Sequence, residues 1–146
     1  MNQEEIMQQL QDAVEFHNQG ELDQAEIIYR QVLAIDANNF YALNFCGCIL
    51  RTKSQLEDAC DFLQRAVILC PAEFSAHYNL GNVYRDLERH DKAVVSYETA
   101  LRINPIHATV LYEFSRSCNE LGDVGMAIAS YHKAIEVKPD FEDAYL

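Results

Sequence analysis

The sequence predicts an all-α protein made of stacked helix pairs, and three observations lead to that fold class. Prolines recur at intervals of 34 residues, at Pro71, Pro105 and Pro139. Alanines keep the same interval at 25, 59, 93 and 127. Apolar residues between these markers follow the three- and four-residue spacing of helices, and a fixed period of this length is typical of stacked helical repeats.

Four repeats account for most of the chain, and their ranges are 6–39, 40–73, 74–107 and 108–141. Each is predicted to hold two helices, because a short polar turn interrupts the apolar pattern near the middle of each repeat. Gly20 and Gly122 lie in two of these turns and suit the left-handed residue that ends a helix. The prolines follow the second helices, where a missing N–H group ends the element.

Side-chain size is also periodic. The first helices carry a small residue at one place, and the second helices carry a large residue that fills space between neighbours. These residues are Ala13, Gly47, Gly81 and Ser115 in the first helices, and Tyr29, Leu63, Tyr97 and Tyr131 in the second. Small side chains let two antiparallel helices approach closely, so the pattern indicates tight pairs.

These positions resemble the tetratricopeptide repeat family. The match is best in the third repeat, with Gly81, Ala93, Tyr97, Ala100 and Pro105. The resemblance covers about 136 of the 146 residues. It implies a right-handed α-solenoid of antiparallel helix pairs, in which the first helices line a concave groove that commonly binds peptides.

Residues 142–146 resemble the opening of a further first helix, which the chain interrupts. A single helical turn is unstable alone, because helix nucleation is costly. We therefore expect an N-terminal fragment of a longer repeat protein, or else a short capping stub. An uncapped repeat exposes apolar surface, so a homo-oligomer formed through exposed terminal repeats is a further expectation.

Composition excludes several classes of function. The 23 acidic residues outnumber the 11 basic ones and give a net charge of −12, which argues against nucleic-acid binding. Much of the excess lies in residues 1–40, where Arg30 is the sole basic residue. No apolar stretch is long enough to span a membrane, and the N-terminus is acidic where a signal peptide needs basic residues. We expect a cytoplasmic protein that binds neither membrane nor nucleic acid.

Catalytic and metal-binding motifs are missing from the sequence. It contains no glycine-rich phosphate loop, no nucleophile elbow and no zinc-protease helix motif. Cys46 and Cys48 form a close pair, but residues two apart on a helix point to different faces and cannot share a metal ion. We therefore predict that the chain is not an enzyme and holds neither a metal nor a cofactor.

The resemblance assigns nine residues of repeats 2 to 4 to the peptide groove. They are Tyr41, Asn44, Arg51, Tyr78, Asn82, Arg85, Tyr112, Arg116 and Asn119. Asparagine can bond to a peptide backbone through its donor and its acceptor, tyrosine offers rigid contact area, and arginine suits carboxylates. The arginines are equally well explained as solvated residues paired with nearby acids, as Glu88 would pair with Arg85.

Repeat 1 has apolar residues, Met7, Leu10 and Val14, at groove positions. They predict a hydrophobic end to the groove, or a docking face for another element. The predicted function is a non-catalytic protein–protein interaction scaffold that binds an extended peptide or partner segment. Two alternatives stay open: a substrate-recruitment arm of a larger enzyme of the glycosyltransferase or sulfotransferase type, and a self-assembly module that joins through open repeat ends.

Overall fold

The computed structural model describes residues 1–141, and every regular element in that part of the chain is an α-helix. The helices are α1 (Gln3–Asn18), α2 (Leu22–Ile35), α3 (Phe40–Thr52), α4 (Leu56–Leu69), α5 (Phe74–Asp86), α6 (His90–Ile103), α7 (Ala108–Glu120) and α8 (Val124–Val137). The predicted all-helical fold of paired helices is confirmed. The expected start of a further repeat, at 142–146, lies outside the described residues.

The chain divides into two compact units, Met1–Pro71 and Ala72–Leu146. In the first unit, α1 packs on α2 and α3 packs on α4, while α2 also contacts α3. The second unit repeats this arrangement with α5 on α6, α7 on α8, and α6 in contact with α7. Within 1–141, no helix is both long and apolar enough to cross a lipid bilayer.

Each helix pair is joined by a turn with one residue in the left-handed region. These residues are Gly20 (φ 81°), Ser54 (φ 62°), Glu88 (φ 57°) and Gly122 (φ 83°). In each turn, two backbone N–H groups donate back to carbonyls of the preceding helix, which satisfies groups that the helix end leaves free. Ser54 and Glu88 adopt a strained conformation that the glycines adopt at little cost.

The close approach within a pair depends on glycine at two positions. A Cβ atom on Gly47 would lie 2.6 Å from Cγ of Leu63, and one on Gly81 would lie 2.7 Å from Cδ1 of Tyr97. Both distances are too short for any larger residue unless a neighbour moves. The periodic small residues therefore set the spacing between first and second helices, which in turn determines which side chains each pair leaves exposed.

The start of α1 is fixed by a reciprocal cap. The side chain of Asn2 accepts a hydrogen bond from the Glu5 N–H at 2.9 Å, and the Asn2 N–H donates to the Glu5 carboxylate at 2.9 Å. Such a capping box satisfies two donors that the helix leaves free. It anchors the first turn of α1 and so fixes the direction of the side chains that follow.

Candidate functional site

The first unit has an open pocket between α1 and α3, which we call the α1/α3 pocket. Its volume is about 380 Å³, and it is lined by Met7, Leu10, Gln11, Val14, Tyr41 and Phe45. Met7 and Tyr41 are 60% and 59% exposed, whereas Leu10, Val14 and Phe45 are half-buried. The predicted hydrophobic residues of repeat 1 therefore lie together with one predicted groove tyrosine.

Aromatic packing holds the floor of the α1/α3 pocket. The Phe45 ring stacks on Tyr29, with ring centroids 6.0 Å apart, and meets the edge of His17 at 6.4 Å. Burial lowers the pKa of His17 from its ordinary value of 6.5, so its ring is uncharged at neutral pH. The floor is thus preorganised and carries no positive charge at pH 7.

The basic residues beside this region are held by acids of α2. Lys53 Nζ lies 2.6 Å from Glu26 Oε2 and also contacts Asp23, and Arg30 Nε lies 2.8 Å from Glu26 Oε1. The hydrogen bond from Lys53 holds the pKa of Glu26 below its usual value. These pairs tie the end of α3 to α2.

The other two predicted residues of the first unit do not line the α1/α3 pocket. Asn44 is only 2% exposed and lies within the packing of α3. Arg51 is half-buried in the last turn of that helix. Of the three groove residues predicted here, Tyr41 is therefore the one that lines the pocket.

In the second unit, two predicted groove residues belong to a polar network between helices. The Tyr97 hydroxyl of α6 donates to Asn82 Oδ1 at 2.7 Å, and Asn82 is 6% exposed. Arg85 Nη1 donates to the Tyr97 hydroxyl at 3.4 Å and forms an ion pair with Glu113 of α7. Arg85 also pairs with Asp86 at 3.3 Å. Asn82 and Arg85 thus connect α5, α6 and α7.

Tyr78, the remaining groove residue predicted on α5, lies in an aromatic cluster. Its ring centroid is 6.1 Å from Phe74, 6.3 Å from Tyr97 and 6.0 Å from His107. The side chain is half-buried as a result. Tyr78 therefore packs α5 against α6 and the start of α7.

The second unit also has an open pocket, between α7 and α8, which we call the α7/α8 pocket. It measures about 490 Å³ and is lined by Tyr112, Ser115, Arg116, Asn119, Val124, Ala127, Ile128, Tyr131 and His132. The Arg116 side chain is 56% exposed, lies 5.7 Å from the Tyr112 ring centroid and is 3.5 Å from Glu113. Three predicted groove residues, Tyr112, Arg116 and Asn119, are thus brought together.

Sequence reasoning missed the contribution of α8 to this pocket, because the resemblance implied that only first helices line a groove. Val124 and Ile128 are each 53% exposed. Their spacing of four residues places them on one side of the helix. The sequence signal for Val124 is its apolar side chain at the first position of α8, where α6 has the polar residue His90.

Possible metal ligands and cysteine thiols are the groups in the described residues that bear most directly on chemistry. Among residues 1–141, no group of three or more His, Cys, Asp or Glu side chains is arranged to hold a metal ion. Burial raises the pKa of Cys46, Cys48 and Cys118 to about 11. Because the thiolate is the reactive form, these cysteines are poor nucleophiles at neutral pH.

Curated relatives include two transferases. The chain is 26% identical over 147 residues to protein O-mannosyl-transferase TMTC3 of Homo sapiens, covering 90% of this chain and 16% of that protein. It is 27% identical over 128 residues to a UDP-N-acetylglucosamine–peptide N-acetylglucosaminyltransferase of Giardia intestinalis, covering 84% of this chain and 8% of that protein. The chain therefore spans less than a fifth of the length of these two relatives.

Structural and family comparisons agree with the helical repeat. The crystal structure of MamA is similar to this chain with a TM-score of 0.85 and 27% identity, covering 91% of this chain and 78% of MamA. Family models of the tetratricopeptide repeat match residues 13–39, 74–107 and 108–141. These matches span most of the sequence and coincide with paired helices, and the chain therefore belongs to the tetratricopeptide repeat family.

Proposed function

We propose that this chain is a non-catalytic protein-interaction scaffold that binds an extended segment of a partner protein. The observation that carries the proposal is the open, mainly apolar pocket in each unit, with exposed tyrosine, arginine or asparagine side chains along it. Pockets of a few hundred Å³ with this lining are typical of binding sites. We place this activity in the cytoplasm, where free cysteines stay reduced.

Four of the nine predicted groove residues line the two pockets, and we assign partner contacts to them. Tyr41 lies at the α1/α3 pocket, and Tyr112, Arg116 and Asn119 lie at the α7/α8 pocket. Tyrosine and arginine are enriched among residues that dominate binding energy, because they combine apolar area with polar tips. In this proposal, the other predicted residues stabilise the helices on which these four lie.

Arg116 is the proposed anchor for a polar group of the partner. Its pair with Glu113 is 3.5 Å long and its side chain is largely exposed, so the pair contributes little stability. A carboxylate or a backbone carbonyl of the partner can therefore replace Glu113 at small cost. Arg85 differs, since its side chain is 18% exposed and is held by Glu113 and Asp86.

Site-specific photo-crosslinking tests the proposal. A benzoylphenylalanine residue would replace Tyr41 or Tyr112, with Ile68 and Val95 as control positions because both are exposed outside the two pockets. We expect the pocket positions to crosslink a shared set of partner segments, and unlabelled chain to compete for them. Equal crosslinking from Ile68 or Val95 would refute the assignment of these pockets.

A second candidate function is a substrate-recruitment arm of a glycosyltransferase. It is favoured by the similarity to two transferases, of which this chain matches 16% and 8%. The segment bound in the pockets would then be the polypeptide that accepts the sugar. In a full-length enzyme, Tyr41→Ala and Tyr112→Ala would raise KM for that polypeptide and leave kcat unchanged, whereas a full-length transcript without a transferase domain would eliminate this candidate.

A further inference from the structure

We infer that the α1/α3 pocket binds a basic peptide segment, in which bulky apolar side chains stand beside lysine or arginine. The inference names the partner class of the proposed function and rests on it. Three observations support it: an apolar stripe on α1 that the fold does not require, a rigid aromatic floor, and a row of acidic side chains along the stripe.

The apolar stripe on α1 consists of Met7, Leu10 and Val14. The equivalent positions of the other first helices hold Tyr41, Asn44 and Cys48 in α3, Ser75, Tyr78 and Asn82 in α5, and Thr109, Tyr112 and Arg116 in α7. Helix pairs of this family therefore form with polar residues at these positions. The fold does not need the stripe, and the 60% exposure of Met7 shows that its own unit does not cover it.

The geometry of the pocket suits an apolar anchor. Phe45 forms the floor and is fixed from behind by Tyr29 and His17, so its ring is already placed before any ligand arrives. The side chains of Met7 and Tyr41 project at the rim. Exposed apolar surface of this kind, next to a concave opening, marks an interaction site. A leucine or phenylalanine side chain entering here would exchange water for apolar contacts.

Charge decides which apolar segment fits. Helix α1 has four acidic residues, Glu4, Glu5, Asp12 and Glu15, and neither lysine nor arginine. Glu4 lies seven residues before Gln11 on α1, and Glu15 lies four residues after it. Side chains at such spacings share one side of a helix, and Gln11 lines the pocket. The two glutamates thus lie beside the pocket, along the edge marked by Gln11, and we call them its acidic rim.

The side-chain hydrogen bonds within α1 come from uncharged amides, so they do not neutralise its acidic residues. The carboxylate of Glu15 accepts a hydrogen bond from the uncharged Gln19 amide at 3.4 Å, and Asp12 accepts one from Gln8 at 3.0 Å. Arg30 is held on α2 by Glu26. A basic segment would therefore gain attraction that an acidic segment would not, and complementary charge both speeds association and selects the partner.

The same charges disfavour other occupants. A second copy of this chain carries a net charge of −12 and would repel the acidic rim. An anionic membrane surface would be repelled for the same reason. A basic, apolar-anchored peptide avoids both penalties, so it is the occupant that agrees with all three observations.

Fluorescence anisotropy with synthetic peptides tests the inference. The probe is a fluorescein-labelled peptide that carries leucine at every third or fourth position and lysine between them. One control peptide has glutamate in place of lysine, and another has serine in place of leucine. We expect the lysine–leucine peptide to bind about tenfold more tightly than either control, with affinity that falls as salt is added.

Matched variants locate the binding. Met7→Ser with Leu10→Asn introduces residues that other repeats carry at these positions, and it should weaken binding of the lysine–leucine peptide about tenfold. Glu4→Gln with Glu15→Gln should weaken it about threefold and reduce the salt dependence. Asp58→Asn with Asp61→Asn, an equal charge change on α4, should change it less than about twofold. Circular dichroism checks that each variant stays helical.

The outcomes separate the inference from the proposed function. If the glutamate–leucine peptide bound as tightly as the lysine–leucine peptide and lost that binding in the Met7→Ser and Leu10→Asn variant, the preference for a basic partner would be overturned. That result would still support peptide binding at the pocket. If the Asp58→Asn and Asp61→Asn variant weakened binding as much as the Glu4→Gln and Glu15→Gln variant, the assignment of binding to the α1/α3 pocket would be wrong. If no peptide binds while Tyr41 still crosslinks a partner, only the inference fails. If no peptide binds and neither Tyr41 nor Tyr112 crosslinks a partner, the proposed function fails as well.

Discussion

Two buried tyrosines at equivalent positions of different repeats should differ in how much stability they lose when the hydroxyl is removed. Tyr97 and Tyr29 are both 0% exposed. The Tyr97 hydroxyl donates to Asn82 Oδ1 at 2.7 Å, whereas the Tyr29 hydroxyl has no hydrogen-bond partner among the described residues. The residue of repeat 1 that corresponds to Asn82 is Val14, which offers no acceptor. We therefore expect Tyr97→Phe to destabilise the chain and Tyr29→Phe not to.

The magnitudes follow from what each substitution leaves behind. Tyr97→Phe leaves the buried Asn82 oxygen without its donor, which costs about 1–3 kcal/mol. Tyr29→Phe removes a hydroxyl that was buried without compensation, so it should leave the free energy of unfolding unchanged or raise it by about 1 kcal/mol. Neither change opens a large cavity, because the ring remains in place. The difference between the two variants is therefore about 1–4 kcal/mol.

Urea unfolding followed by circular dichroism measures this difference. Equal m-values for the variants would confirm that each exposes the same amount of surface on unfolding. A third variant, Val14→Asn, supplies the Tyr29 hydroxyl with an acceptor of the kind Asn82 provides for Tyr97. It should raise stability in the natural background and lose that effect when Tyr29 is replaced by phenylalanine. An equal loss of stability in Tyr97→Phe and Tyr29→Phe would refute the reasoning.

Four further outcomes are expected. Gly81→Ala should cost about 1–3 kcal/mol by overpacking, whereas Gly125→Ala, with its nearest neighbour at 4.0 Å, should raise stability in urea unfolding. Glu88→Gly should stabilise by about 1 kcal/mol, since it relieves a positive φ. The lowered pKa of Glu26 adds stability above pH 4.5 that is lost as pH falls through that pKa, so Glu26→Gln should flatten the acid limb of a stability–pH curve. At pH 8, Cys70 should react with a disulfide reagent faster than the three thiols whose pKa is about 11, and Cys70→Ser should remove the fast phase.

Periodicity predicted the helices and the turns between them well, but it did not predict the backbone of every turn. Gly20 and Gly122 were recognisable as left-handed residues because glycine favours that conformation. Ser54 and Glu88 adopt the same positive φ without a sequence cue. Their conformation follows from the two hydrogen bonds that close each turn and from the packing of the helices on either side, which are tertiary effects.

The candidate site was harder to predict. The position of a residue within its repeat indicates the helix face on which it lies, but it does not indicate which side chains of neighbouring helices cover it. Asn82 and Arg116 occupy equivalent positions of α5 and α7. Asn82 is covered because the hydroxyl of Tyr97 extends to it from α6. Arg116 stays 56% exposed and lies on an open pocket. The identity of the facing side chain, and not the repeat position, therefore decides whether a groove residue is available.

Helix α1 has an inverted polarity relative to the other first helices, and this inversion strengthens the case for a ligand on it. On α7, Val110, Leu111 and Phe114 are buried, and Leu111 packs with Leu101 of α6. The equivalent residues of α1 are Gln8, Gln9 and Asp12, so that face gives a second copy of this chain little apolar surface on which to stack.

The groove-facing side of α1 shows the opposite change, since it is apolar where the other first helices are largely polar. Random tolerated substitutions would not be expected to make one face of a helix polar and another face apolar at the same time. The polar face makes head-to-tail assembly through α1 unfavourable, because it would bury the Asp12 charge against apolar residues with only the uncharged Gln8 amide beside it. The apolar face is exposed to water at Met7, and a ligand in the pocket would cover it. Binding at the α1/α3 pocket therefore explains the apolar face of α1 and exposure to water agrees with the polar one, whereas self-assembly through this end explains neither.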